Sequence, residues 1–238
     1  MTTQVSDANC AKAWARGVVA IRENHGPISP LVTEIGSPCV VHPSWWQELS
    51  PRTISKGENT LHSVAEMVGP DELTNTKLKR KNAYNHAWKK FDRCRALGRH
   101  LSNWRETYFE RLTRNENGSN RLETIIDKMN NWQTRRVSSF YAHTTSNSLD
   151  NVVPIGSPCL QYIQFVQRDD DKVDLFALYR NHDFFRKALG NFIGLGRVLA
   201  FVARETQQVP GKLTCFSVNA YLDNQRQVCD VAEQVLQV

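Results

Sequence analysis

Apolar residues recur at spacings of three and four in several stretches of the chain. Ala11, Trp14, Val18 and Ile21 fall on one helical face; Asp7 is read as the cap, and Gly26-Pro27 ends the element. Leu61 to Val68 reads as a second helix, stopped by Gly69-Pro70. Residues 75–114 read as helical and basic. A turn-forming run, Asn115 to Asn120, precedes a helix with Leu122, Ile125, Ile126 and Met129 on one face. From Asn191 to Arg204 the chain is apolar on nearly all sides (Phe192, Leu195, Leu199, Phe201), which predicts a central buried helix. Asp223 to Val235 predicts the last helix.

Shorter runs predict strands at Val137 to Ala142, Leu160 to Gln167, Val173 to Tyr179 and Lys212 to Val218. The second and third join across Arg168-Asp169-Asp170-Asp171 as a hairpin. Residues 27–60 and 144–158 read as polar loops, the first with one or two short strands. Ile35-Gly36-Ser37-Pro38-Cys39 recurs as Ile155-Gly156-Ser157-Pro158-Cys159, but no longer period accompanies it, so it is read as coincidence. No linker divides the chain. The pattern predicts an α/β (α+β) fold, a single domain over 1–238, with a mixed, mostly antiparallel β-sheet packed against the buried central helix.

Composition adds little to this. The chain has 238 residues, 40% apolar and 23% charged, ordinary for a soluble globular protein with room for a real core. No apolar run approaches the roughly 18 residues of a membrane span. The N-terminus carries no basic patch followed by an apolar block, so a cytoplasmic protein with reduced thiols is expected. Charge is more informative. The formal net charge is +6, and Lys77 to Arg114 alone holds 12 Lys or Arg against three acids. This is either a solvated helical face or an anion-binding surface. No zinc-finger spacing or RNA-recognition motif accompanies it, so a dedicated nucleic-acid module is not expected. The six cysteines are scattered without a CxxC pair, so no metal site or redox motif is expected. The remaining question is whether one of them is a nucleophile.

Cys159 follows Pro158 at the start of a strand, and Gln164-Phe165 lies five and six residues on. Then come Tyr179-Arg180-Asn181-His182-Asp183, Asn191 eight residues after Asp183, and Asn219-Ala220-Tyr221. By residue type alone this is a hairpin, a helix and a strand with polar ends, and Cys159 is a buried spectator. As an ordered set, however, these motifs resemble the thymidylate synthase family, which includes the deoxycytidylate and cytidylate hydroxymethylases. That family reads Pro-Cys, Gln-Phe, Arg-Ser-x-Asp, Asn eight residues later, then His-x-Tyr. Upstream, Leu122 to Met129, Arg135-Arg136 and Val137 to Ala142 look like the family's helix, arginine pair and strand. The resemblance covers about 120–228 well and 8–115 thinly.

The resemblance implies a thymidylate synthase-like fold and a one-carbon transfer to C5 of a pyrimidine nucleoside monophosphate. Cys159 would add to C6, which turns C5 into a nucleophile; a thiolate suits this because it adds and leaves readily. The cofactor implied is 5,10-methylenetetrahydrofolate, which supplies the carbon. Arg180 would bind the phosphate, with Arg135 and Arg136 reaching across from the partner of a homodimer that shares its sites. Asn191 would read the pyrimidine edge, with a lean to uracil, since an amide offers both a donor and an acceptor. Asp183 would hold the pterin, Tyr221 the sugar, Gln164 the phosphate and base surroundings, and Glu66 would stand for the general acid/base. Asn181 and Asn219 take the places of the family's Ser and His among the substrate-binding residues.

The chain departs from the pattern elsewhere. Leu160 follows the cysteine where the family has His. Lys187-Ala188-Leu189-Gly190 replaces a Leu-Gly-x-Pro-Phe run that packs the folate. One extra residue separates Cys159 from Arg180, and no N-terminal phosphate-binding arginine is evident. The chain stops soon after Tyr221, which implies a folate site without the family's C-terminal lid, one that admits water and so leaves hydroxymethyl as well as methyl transfer open. Three readings stand: an active one-carbon transferase, a catalytically inactive nucleotide-binding homologue, and a basic nucleic-acid-binding protein.

Overall fold

The computed structural model describes residues 2–41, 60–97, 106–114, 118–131, 140–144, 157–223 and 225–237. Two strands and a helix open the chain: β1 (Thr3–Asp7), α1 (Cys10–Glu23) and β2 (Leu31–Ile35). Then come helices α2 (Leu61–Val68), α3 (Arg80–Ala96), α4 (Tyr108–Thr113) and α5 (Arg121–Asn131). Next come β3 (Tyr141–His143), β4 (Leu160–Gln167), β5 (Lys172–Tyr179) and β6 (His182–Asp183). The chain closes with α6 (Ala188–Glu205), β7 (Val209–Ser217), β8 (Ala220–Tyr221) and α7 (Gln225–Gln237).

Six strands form one mixed sheet in the order β1-β2-β7-β5-β4-β3. Three of its five pairings are antiparallel, as the sequence predicts. Side chains alternate across it. Ile163 and Phe165 of β4, Leu175, Ala177 and Tyr179 of β5, and Leu213 and Cys215 of β7 are buried on one face. Helix α6 contacts β5 and β7 and is buried along most of its length, which satisfies the prediction of a central helix. Two glycines let α2 approach it. A Cβ on Gly194 would lie 2.6 Å from the carbonyl oxygen of Ala65, and one on Gly190 2.7 Å from Val64 Cβ. This close crossing sets the C-terminal half of α2 beside the first turns of α6.

Several boundaries differ from the sequence reading. Asp7 ends β1 and pairs with Arg16 at 2.8 Å, while Asn9 caps α1 by accepting the Lys12 N–H at 2.9 Å. Helix α1 stops at Glu23, before Gly26. Among its described residues the long basic stretch holds helices α3 and α4, the second started by a capping box of Thr107 and Glu110. The predicted strand over Val137 to Ala142 is described only from residue 140, and β3 runs Tyr141–His143. The hairpin between β4 and β5 turns where expected, with Asp171 at φ 57°, a conformation that Asp tolerates.

Candidate functional site

Residues from five elements and the segments beside them meet at one open cleft that holds about 490 Å³ of empty space, open solvent included. Cys159 sits immediately before β4, and Asn181, His182 and Asp183 lie on and before β6. Tyr221 comes from β8, Tyr108 from α4 and Met67 from α2. Asn191 and Lys187 come from the first turns of α6 and the residue before it, and Glu106 precedes α4. The short parallel pairing of β6 with β8 sets Asp183 opposite Tyr221.

Cys159 is held from two sides. Its backbone N–H donates to the Tyr108 hydroxyl at 3.0 Å, and the Leu160 N–H reaches the same oxygen at 3.4 Å. On the other side the Arg180 N–H donates to the Cys159 carbonyl at 2.9 Å. The Arg180 guanidinium donates to the carbonyls of Pro158 at 3.2 Å and Ser157 at 2.8 Å. Its charge therefore stands against the turn that carries the thiol. Cys159 is half-buried. Burial pushes the Cys39 thiol up to about 11 and the Cys215 thiol up to about 12. The Cys10 thiol is raised further for the same reason. Thiols so shifted are poor nucleophiles at neutral pH.

Asp183 is buried, and its Oδ1 accepts the N–H groups of Phe185 at 2.9 Å and Arg186 at 3.1 Å. Burial raises its carboxyl above the ordinary range, against those bonds. Burial also raises the Tyr221 hydroxyl, and the charges of Asp183 and Cys159 add to the shift. Asn191 is 3% exposed, and its Nδ2 donates to Nε2 of His182 at 3.1 Å. Asn181 and Asn219 are partners: Asn219 Nδ2 donates to Asn181 Oδ1 at 3.0 Å, and Ser29 donates to Asn219 Oδ1 at 3.3 Å.

The structure thus brings Cys159, Asn181, Asp183, Asn191 and Tyr221 to one cleft, with Arg180 and Asn219 behind its wall. Gln164 lies on the other face of the sheet, as the alternation with Ile163 and Phe165 requires, and accepts from the Tyr162 hydroxyl at 2.6 Å. Glu66 sits behind Met67. It takes an ion pair from Lys90, another from Arg197 at 3.1 Å, and the Asp71 N–H at 2.9 Å. Burial raises its carboxyl, opposed by Lys90. His62, Glu66 and Asp71 have ligand atoms within 4.8 Å of one another, but Lys90 and Arg197 already supply the counter-charge there. Arg135 and Arg136 lie outside the described residues.

Sequence reasoning missed Tyr108, His182 and Lys187. Thr107-x-x-Glu110 carries the spacing of a capping box and marks a helix whose first residue is Tyr108. The basic stretch is in good part paired within the molecule: Arg80 with Glu123, Lys90 with Glu72, Arg95 with Glu110 and Arg114 with Asp92.

A half-buried thiol beside an amide, a carboxylate and two phenols suits a polar, planar ligand that a sulfur nucleophile can attack. Comparison with known proteins narrows the class. No family model matches the chain. A Methanosarcina acetivorans protein named "Putative thymidylate synthase" is 30% identical over 219 residues, 90% of this chain and 86% of that relative. A Methanococcoides burtonii protein of the same name is 28% identical over 180 residues, 74% of this chain and 80% of the relative. One from Methanosarcina mazei is 33% identical over 126 residues, 52% of this chain and 56% of the relative. The chain belongs to the thymidylate synthase-like family.

Proposed function

We propose that the protein transfers a one-carbon unit to C5 of a pyrimidine nucleoside monophosphate of the uracil type, through a transient bond between Cys159 Sγ and C6. The observation that carries this reading is the meeting of Cys159 with Asn191, Asp183 and Tyr221 in one cleft of a thymidylate synthase-like chain. Cys159 adds to C6, and the negative charge spreads onto C5 and the exocyclic oxygen at C4. Asn191 donates to that oxygen and accepts from N3–H, so it strengthens its hold as charge develops. After the new bond forms, C5 loses its proton; the carbon would then part from its carrier and be completed by hydride (methyl) or water (hydroxymethyl), and the thiolate leaves C6 to free the product. The Tyr108 hydroxyl is the group at hand to relay that proton.

A reduced folate suits the polar groups on the cleft wall. The buried Asp183 can accept from a pterin N–H, and Lys187 offers a cation to a carboxylate tail. When bound, that cofactor supplies the one-carbon unit. Arg180 keeps the Pro158-Cys159 turn rigid and contributes positive charge for the 5′-phosphate. Glu66, held by Lys90 and Arg197, supports α2 behind the cleft.

The outer face of the sheet supports a homodimer. Tyr162 and Phe176 form an edge-on aromatic pair there, Tyr141 stacks on Tyr162, and Leu178 and Phe216 lie beside them, all incompletely buried. Arg135 and Arg136 belong in this reading to the partner's phosphate site. Tritium release from C5-labelled UMP, dUMP, CMP and dCMP, with and without methylenetetrahydrofolate, tests the whole. Release from a uracil nucleotide is expected. Tight nucleotide binding without release would assign the chain to an inactive, nucleotide-binding role.

A further inference from the structure

His182 takes no part in the chemistry above, yet its ring borders the cleft and is 1% exposed. Asn191 Nδ2 meets its Nε2 at 3.1 Å. An amide nitrogen only donates, so Nε2 accepts. Burial lowers the imidazole pKa to about 3, so at ordinary pH the ring is neutral and carries one proton, on Nδ1. That N–H donates to Ser217 Oγ at 2.9 Å, with Cys215 Sγ farther off at 4.0 Å. The ring is also locked mechanically. It stacks on Tyr179 with centroids 4.1 Å apart and planes at 4°. Phe184 and Phe192 pack edge-on at 5.1 and 5.5 Å.

The consequence falls on Asn191. The two ends of a carboxamide have nearly the same shape and opposite hydrogen-bonding character, so its orientation decides what it can read. Turned over, Asn191 would set Oδ1 against the lone pair of Nε2. We propose that His182 is a specificity-determining positioning residue, which fixes the end of the Asn191 amide that meets the base and so selects between uracil and cytosine edges. The inference rests on the cleft being a pyrimidine nucleotide site. Uracil offers a donor at N3 beside an acceptor at C4, and cytosine offers the reverse. A freely turning amide serves both, while a held one serves a single base. Ser217 is part of the device, because its Oγ accepts the Nδ1 proton and so leaves Nε2 free to accept from Asn191.

The test is calorimetric titration of the full chain with UMP and CMP, and with dUMP and dCMP. The native protein is compared with His182→Phe, which keeps the stack on Tyr179, and with Ser217→Ala. In both variants the preference for uracil over cytosine is expected to fall about tenfold, the worth of one hydrogen bond. For Ser217→Ala the reason is that an unpaired Nδ1–H favours the other tautomer and the turned amide. An unchanged ratio in both variants, or in Ser217→Ala where His182→Phe fails to fold, overturns the proposal alone. Failure of the native protein to bind any of the four nucleotides overturns the functional reading and this inference with it. Nitrogen-15 NMR of the native protein gives an independent check: His182 Nε2 is expected to be unprotonated, and an Nε2–H tautomer would overturn the proposal.

Discussion

The hydroxyl of Tyr108 accepts the backbone N–H of Cys159 at 3.0 Å. Fifty-one residues apart in sequence, the two tie the first turn of α4 to the start of β4, where the thiol stands. Thr107 and Glu110 in turn fix that helix end, and Glu110 is held by Arg95 at 2.6 Å. The position of the Cys159 thiol thus depends on an anchored helix as well as on its own strand.

Tyr108→Phe removes the acceptor shared by the half-buried Cys159 N–H and the buried Leu160 N–H. A loss of about 1–3 kcal/mol in stability is expected, with slower turnover. Urea denaturation and single-turnover kinetics measure the two. An unchanged midpoint would mean that the backbone at Cys159 does not need the hydroxyl.

Arg180 faces two demands, since its guanidinium holds Ser157 and Pro158 and its charge is assigned to the phosphate. A charge-assisted contact is worth roughly 1.5–3 kcal/mol. Arg180→Ala should therefore weaken nucleoside monophosphate binding by about one to two orders of magnitude, with little effect on the free nucleoside. Equal weakening of both ligands would reduce Arg180 to a support of the turn.

His182 makes stability depend on pH. Its folded pKa of about 3 lies below the ordinary 6.5, so between these values the unfolded chain binds more protons than the folded one. The contribution is complete above pH 6.5 and is lost as pH falls toward 3, at about 1.4 kcal/mol per pH unit. In urea titrations between pH 6.5 and 4, His182→Phe should show a slope shallower by about one proton. Equal slopes would mean that His182 is charged in the folded protein.

Shared sites have a simple signature. The protein should sediment as a dimer at micromolar concentration, and Phe176→Glu on the outer sheet face should shift it toward monomer. Mixing Arg136→Ala with Cys159→Ala subunits should recover activity that neither variant has alone, because one hybrid site is intact. A native protein that sediments as a monomer rules out this arrangement.

Much of this was legible in the chain. The bounds of α2 follow from its apolar face and Gly69-Pro70, and α6 announces itself by being apolar all round. Cys159, Asp183, Asn191 and Tyr221 were singled out by motif and spacing, and folding gathers them at one cleft. Strand β1 leaves no apolar pattern, because Thr3–Asp7 is a short, mostly polar edge with a single Val, and for the same reason Asp7 reads as a cap. His182 and Tyr108 escaped because their work lies in tertiary contacts with Asn191 and Cys159, which no local spacing encodes. Gln164 fell on the outer face because strand alternation, fixed by Ile163 and Phe165, overrides its place in a motif.

The central claim is a covalent bond between Cys159 and pyrimidine C6. A fluorine at C5 cannot leave as the proton does, so a 5-fluorinated uracil nucleotide with methylenetetrahydrofolate should arrest the reaction with that bond in place. Peptide mapping by mass spectrometry reads the result directly. The account predicts a nucleotide adduct on the peptide that carries Cys159, and none in Cys159→Ala, with Cys10, Cys39, Cys94, Cys215 and Cys229 unmodified. An adduct on another cysteine, or tritium release at full rate from Cys159→Ala, would contradict it.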